Sequence, residues 1–487
     1  MRTVRTTPLL AAGIAAAAFL STLTPAAASP APAGLRWQPC GGPAPAALQC
    51  ATLTVPLDYA DPGGRKIDIA VSRLRASRPQ ERRGVLLLNP GGPGGPGLDL
   101  PVDPTVDLSE EVRSRYDLIG FDPRGVGRSS PVGCGLTADE QDHERPYRAE
   151  TFAKDVEWAR TVADKCRTKA GDTLRHLTTR NTARDMDAIR GALGERKISY
   201  LGFSYGTYLG AVYAQMFPRR TDRFVLDSAA DPTRVWQGMF QGMAEGADAA
   251  FARWSEWTAR RHTTYGLGST PAEVRRTFWD LVARADREPV DSAGTPLTGD
   301  GIRAQHARFA HVEKAAEWIA ALKAAAPSTA APATREVPPD NDTASAWAVL
   351  CGDSRTWPHD PERYRLDAVR DAARHPLYGD FASNIKPCAF WGQGSEPPTT
   401  VDNGAGALIL QNEWDPSTPL PGALAMHRAL HGSRMVTVAG GEGHIVNGTN
   451  PCATRALTAY LTTGTLPPHD LTCETPPTPT PNPPRKP

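Results

Sequence analysis

The sequence predicts an α/β fold: a mostly parallel central sheet with crossover helices, interrupted by an inserted, mainly helical cap. Three observations predict it. Six short apolar runs, Val85 to Leu88, Tyr116 to Phe121, Ile198 to Leu201, Phe224 to Leu226, Ala407 to Leu410 and Met435 to Val438, have the length and continuity of strands buried on both faces of a sheet. Helical stretches lie between several of them, and strands that alternate with helices pair in parallel. The alternation stops between the Phe224 and Ala407 runs, where about 180 residues read mainly as helices.

Taken in order, residues 1–28 read as an export leader. Arg2 and Arg5 give a basic start, Leu9 to Leu20 an apolar run, and Ala26 to Ala28 a small-residue cleavage site. The run is about a dozen residues, too short for a bilayer core of roughly 30 Å, so no membrane span is expected and the chain reads as secreted and extracellular. Removing the leader takes away two positive charges and no acid, moving the formal net charge from +1 to −1. Bulk charge therefore offers nothing to nucleic acid.

Residues 29–232 read as the first part of the sheet domain. Ala51 to Val55 and Lys66 to Leu74 alternate around Asp61-Pro62-Gly63-Gly64, which signals a hairpin. Thr182 to Leu193 reads as a helix, with Asn181 as its N-cap and Gly194 as its stop. Residues 233–400 form the expected cap, with Trp236, Phe240, Phe251, Trp254 and Trp257 at helical spacings as its own core or, for one or two of them, as lining of the substrate pocket. Ala324 to Asp340 is a Pro/Ala-rich linker inside it, residues 401–473 complete the sheet domain, and 474–487 form a Pro/Thr-rich disordered tail.

The eight cysteines, Cys40, Cys50, Cys134, Cys166, Cys351, Cys388, Cys452 and Cys473, form an even set in an exported chain and read as disulfides. Eight cysteines allow 105 pairings. Nearest-neighbour pairing in chain order is the expectation, because each such pair brackets one local segment. No zinc spacing occurs among them, and neither a metal nor a cofactor is implied.

The chemistry centres on Gly202-Phe203-Ser204-Tyr205-Gly206, a G-x-S-x-G directly after one strand and before a helix from Thr207 to Phe217. Such a turn presents the serine hydroxyl at the top of the sheet of an α/β-hydrolase fold, and flanking glycines leave room for close chain approach. A serine hydroxyl needs a base, and in this fold the order along the chain is serine, acid, histidine. Asp415, after the Ala407 strand, and His444, after the Met435 strand, stand where that order requires them. Asp227, at the end of the Phe224 strand, is the alternative acid. His176 precedes the nucleophile, and His262, His306 and His311 lie in the cap. The oxyanion of an acyl-transfer intermediate needs two backbone N–H groups, expected from Tyr205 and from Gly92 in Asn89-Pro90-Gly91-Gly92-Pro93-Gly94-Gly95. In Asp122 to Ser129, an ion pair between Asp122 and Arg124 is expected to fix a structural loop.

These motifs, in this order, resemble the secreted tripeptidyl-aminopeptidase branch of the α/β-hydrolases of actinomycetes, relatives of the proline iminopeptidases, from about Trp37 to Cys473. Asn89 stands where iminopeptidases usually carry His. Asp227-Ser228 and Glu442 depart from the family pattern, the first standing in place of Asp-Gly. The resemblance implies a serine exopeptidase that acts on peptides or proteins from a free N-terminus and releases short fragments, with tripeptides as the expected product. A tripeptide cut requires a carboxylate for the substrate ammonium roughly 10 Å from Ser204, three extended residues away. Asp353, Glu245 and Glu256 are the candidates, with Asp353 preferred because Cys351 pins its loop. A carboxylesterase or lipase is the alternative enzyme, and an inactive binding module on the same scaffold is a reading from another class.

Overall fold

The computed structural model describes residues 35–328 and 339–475, together with the isolated Thr3. The expected leader, residues 329–338 of the linker and the tail from 476 onward lie outside the described residues.

Ten strands form one sheet in the order β1-β2-β3-β5-β4-β6-β7-β10-β11-β12. They are β1 (Gln38–Pro39), β2 (Gln49–Pro56), β3 (Lys66–Leu74), β4 (Gly84–Asn89), β5 (Tyr116–Phe121), β6 (Ile198–Phe203), β7 (Thr221–Asp227), β10 (Ala407–Trp414), β11 (Arg434–Glu442) and β12 (Leu471–Glu474). The expected hairpin is β2 and β3, and every pairing from β5 through β12 is parallel. Between β7 and β10 the chain is mainly helical, with one small hairpin, β8 (Val290–Ser292) and β9 (Thr295–Leu297). Glu474 belongs to β12 and Thr475 donates its N–H to Ala439, so the ordered chain runs past the expected start of the tail.

The continuous apolar runs are explained by burial on both faces. Val85 and Leu87 of β4 enter one core cluster, with the helices around Trp158, Met186 and Tyr213, while Leu86 and Leu88 enter another, with Leu457, Tyr460 and Leu461. A strand alternates its side chains between faces, so both sets must be apolar when both faces are covered. Burial of each such side chain contributes about 1.5–3 kcal/mol.

Insertion and sheet domain divide the aromatic residues differently from the expectation. Phe251 and Trp254 pack with Phe278 and Phe309 in the insertion's own cluster. Trp236 instead belongs to the sheet-side core, 5.6 Å from the ring of Tyr205 and 4.9 Å from that of Tyr208. Four disulfides pair in chain order, Cys40–Cys50, Cys134–Cys166, Cys351–Cys388 and Cys452–Cys473.

Asp122 and Arg124 do not pair. The Asp122 carboxylate accepts the N–H groups of Gly97, Leu98 and Arg128, tying two loops together. The Arg124 guanidinium makes a bidentate pair with Asp185, at 2.7 Å for each bond, and Tyr59 donates its hydroxyl to the same carboxylate. A guanidinium fork fits a carboxylate far better than a lone contact to a neighbour on its own loop would allow.

His306 is buried in the insertion, stacked on Tyr378 at 3.8 Å, and among the described residues neither ring nitrogen has a hydrogen-bond partner. Burial lowers its pKa from 6.5 to about 4. The unfolded chain therefore binds the proton first, and stability is lost as the pH falls from about 6.5 to about 4, by about 3 kcal/mol in all. Urea melts across that range are expected to give His306→Phe a correspondingly flatter loss of stability than the parent. Parallel curves would contradict this.

Candidate active site

Each element of the site stands at the carboxyl end of a parallel strand, where open α/β sheets bind ligands. Ser204 follows β6 and precedes the helix Tyr205–Met216, with φ 56° and ψ −125°. That conformation is costly for a non-glycine residue and persists only where surrounding contacts enforce it. Here Ser204 donates its N–H to the Asp227 backbone carbonyl, its own carbonyl accepts both the N–H and the hydroxyl of Thr207, and Tyr200 donates its hydroxyl to the Gly206 carbonyl. Gly91 leans on the same turn. A Cβ there would come within 2.4 Å of the Phe203 carbonyl and 3.0 Å of the Ser204 Cβ, and its φ is +92°, so the position requires glycine.

His444 meets Asp415. The imidazole Nδ1 lies 2.8 Å from Oδ2 and 3.0 Å from Oδ1 of the carboxylate. Asp415 is buried and further accepts from the N–H groups of Ser417 and Thr418 and from the Thr418 hydroxyl at 3.0 Å. Burial opposes the imidazolium, but the hydrogen bond to Asp415 and the charges of Asp415 and Asp227 outweigh it, and the His444 pKa is raised. Thr418 stands 3.4 Å from Nδ1.

Asp227 does something else. It is buried beneath the histidine loop, where its two oxygens accept the N–H groups of Val446 and Asn447, and burial raises its pKa to about 6. Ser228 has φ 60°, a left-handed conformation that a glycine would adopt freely, and its hydroxyl accepts the Ile445 N–H at 2.9 Å. The departure from Asp-Gly thus gives the histidine loop a third backbone anchor. Asn412 adds bonds to the carbonyls of Gly443 and Ile445, on either side of His444. Glu442, the other departure, accepts from Arg253 of the insertion at 2.6 Å. His311 lies against the same loop, so close that a Cβ on Gly443 would strike its ring.

Among the described residues the N–H groups of the two expected oxyanion donors have no acceptor. Tyr205 is the first residue of its helix and has no acceptor within it. Among the described residues the Gly92 N–H makes no hydrogen bond, and φ at Gly92 is +107°.

The three candidate carboxylates fare differently. Asp353 is buried, with one oxygen accepting the Thr179 N–H at 2.7 Å and the other its hydroxyl at 2.5 Å. The Cys351–Cys388 disulfide pins the loop as expected, and both oxygens of the acid are engaged by Thr179. Glu256 is exposed on the helix Gln237–Ala259, about 16 Å along its axis from Glu245. Glu245 lines a largely apolar cavity whose wall includes Asp415, Thr418, Met239 and Trp414, and it pairs with Arg234 at 3.1 Å. Among the described residues no group of three His, Cys, Asp or Glu could hold a metal ion, and no helix is long and apolar enough to cross a membrane.

This geometry agrees with what the chain is similar to. Residues 84–281 match the family described as alpha/beta hydrolase fold, and residues 375–473 match the family described as TAP-like protein. The chain is 36% identical to the Tripeptidyl aminopeptidase of Streptomyces lividans, over 94% of this chain and 89% of that protein. It is 30% identical to the Serine protease Hip1 of Mycobacterium tuberculosis, over 90% of this chain and 91% of that protein. It is also 30% identical to the Carboxylesterase B of the same organism, over 87% and 86%. The chain belongs to the tripeptidyl-aminopeptidase-like family of α/β-hydrolases and is a serine hydrolase.

Proposed function

We propose that the protein is a secreted serine exopeptidase that hydrolyses peptides near a free N-terminus and releases tripeptides through an acyl-enzyme. The observation that carries this reading is the hydrogen bond between His444 Nδ1 and the buried Asp415 carboxylate, with Ser204 held on a strained turn at the same end of the sheet, after β6, with β7 between it and the strand that carries Asp415. Ser204 attacks the scissile carbonyl while His444 takes its proton. Asp415 fixes the tautomer that leaves Nε2 free to accept. The N–H groups of Tyr205 and Gly92 receive the oxyanion, and His444 then returns the proton to the leaving amine. The four disulfides of the chain support an extracellular setting.

The exopeptidase assignment draws on the similarity to the Streptomyces tripeptidyl aminopeptidase over nearly the whole chain. Glu245 is the candidate to meet the substrate ammonium, being the exposed acid at the cavity that Asp415 also lines. A carboxylesterase is the second reading, favoured by the apolar lining of that cavity and by the similarity to Carboxylesterase B.

One assay separates them. The purified protein is given free and N-acetylated tripeptidyl chromogenic amides beside a short-chain ester. Cleavage of the free amide and loss of it on acetylation are expected. Equal cleavage of both amides would overturn the exopeptidase reading, and turnover of the ester alone would establish the second one.

A further inference from the structure

The helix Asn341–Gly352, contributed by the insertion, touches both halves of the expected oxyanion hole. At its start it meets the glycine loop that carries Gly92. A Cβ on Gly94 would lie 2.7 Å from the Asp342 carbonyl and 2.9 Å from the Ser345 hydroxyl, so loop and helix are in direct backbone contact. At its end, Asp353 caps the helix and reaches the nucleophile turn through a chain of side-chain hydrogen bonds. The Thr179 hydroxyl lies 2.5 Å from Asp353 Oδ2 and 2.6 Å from the Tyr205 hydroxyl.

Donor order in this chain follows from chemistry. An ionised carboxylate only accepts, so Thr179 gives its single hydroxyl proton to Asp353 and must accept from Tyr205. The sequence is Tyr205 O–H to Thr179 Oγ1, then Thr179 O–H to Asp353. Tyr205, Thr179 and Asp353 are all buried. The Cys351–Cys388 disulfide fixes the helix end from which Asp353 projects.

We propose that Thr179 and Asp353 are positioning residues for the oxyanion hole. They hold the Tyr205 ring, and through it the Tyr205 N–H, while the same helix backs the loop that bears the Gly92 N–H. The helix thereby sets the spacing of the two donors. Fixed donors aimed at a developing oxyanion act only in the transition state, and small misplacement is costly there. The inference rests on the reading of Tyr205 as an oxyanion donor.

The test is Thr179→Val, which keeps the shape and the N–H to Asp353 and removes only the hydroxyl. The kcat on a tripeptidyl amide is expected to fall by about tenfold to a hundredfold with KM unchanged. Affinity for a peptidyl boronic acid, which forms a tetrahedral anionic adduct on the nucleophile, should fall with it, while affinity for the free tripeptide should not. Thr179→Ser is expected to restore kcat, and Tyr205→Phe to reproduce the Val phenotype with the ring retained. Parental kcat in both Thr179→Val and Tyr205→Phe would overturn the proposal, as would equal losses of boronate and tripeptide affinity. Ser204→Ala, run alongside, separates the two levels: if it retains activity the underlying catalytic reading fails, and if it is inactive while Thr179→Val is not, only the positioning role fails.

Discussion

Ser204→Ala is expected to lower kcat by roughly 10⁶-fold, leaving only the background that binding and the oxyanion donors supply. The Ser204 hydroxyl makes no hydrogen bond among the described residues, so removing it breaks no structural contact, and melting should be nearly unchanged. Ser204→Gly sharpens the test. At φ 56° and ψ −125° both Ser and Ala are strained and glycine is not, so the Gly variant should be equally inactive yet more stable than the Ala variant by about 1–3 kcal/mol. Thermal melts and single-turnover assays of the two variants together measure chemistry and stored strain separately. Activity above about one percent of parent in either variant would remove Ser204 from the mechanism.

The triad candidates were legible because each belongs to a local signal: an apolar run, then a loop bearing Ser, Asp or His. Their supports were not. β10 reads from sequence as four apolar residues, yet it continues through Gln411 and Asn412, because those buried polar side chains bond to the carbonyls of the catalytic loops. The N-cap of the helix Thr179–Ala192 is Thr178 rather than Asn181; both residue types cap well, and only the path of the chain from Leu177 decides between them. Arg124 finds Asp185 at a separation of 61 residues, a distance that no local pattern encodes. β12 escaped notice because it is four residues long with Cys473 as its only buried side chain.

Asp353 shows the limit most clearly. A disulfide-pinned loop beside the site was the reason to choose it, but fixing a loop does not say which groups its carboxylate meets, here the N–H and hydroxyl of Thr179. Its neighbours Tyr205, Tyr208 and Trp236 precede it by more than 100 residues and meet it only in the fold. The two departures, Ser228 and Glu442, were visible as letters. Their meaning, one anchor from the sheet and one from the insertion on the same histidine loop, is a matter of three-dimensional contact.

The choice between Asp415 and Asp227 yields the second large effect. Asp415→Asn is expected to lower kcat by about 10⁴-fold with little change in KM, because an amide nitrogen facing Nδ1 favours the tautomer that protonates Nε2, where the proton from Ser204 must go. The pH profile should move as well. A base works when neutral, so activity rises with pH through the histidine pKa, which the hydrogen bond and charge of Asp415 help to raise. Removing that charge lowers the His444 pKa and shifts the acid limb of the residual activity to lower pH. Asp227→Asn makes a different prediction, since its oxygens hold the N–H groups of Val446 and Asn447 rather than the imidazole. It disturbs the loop by replacing one acceptor with a donor, so stability and kcat should fall together. If Asp227→Asn gave the 10⁴-fold loss at parental stability while Asp415→Asn stayed active, the acid would be Asp227, and the contact to His444 Nδ1 would have to re-form in solution with a different partner.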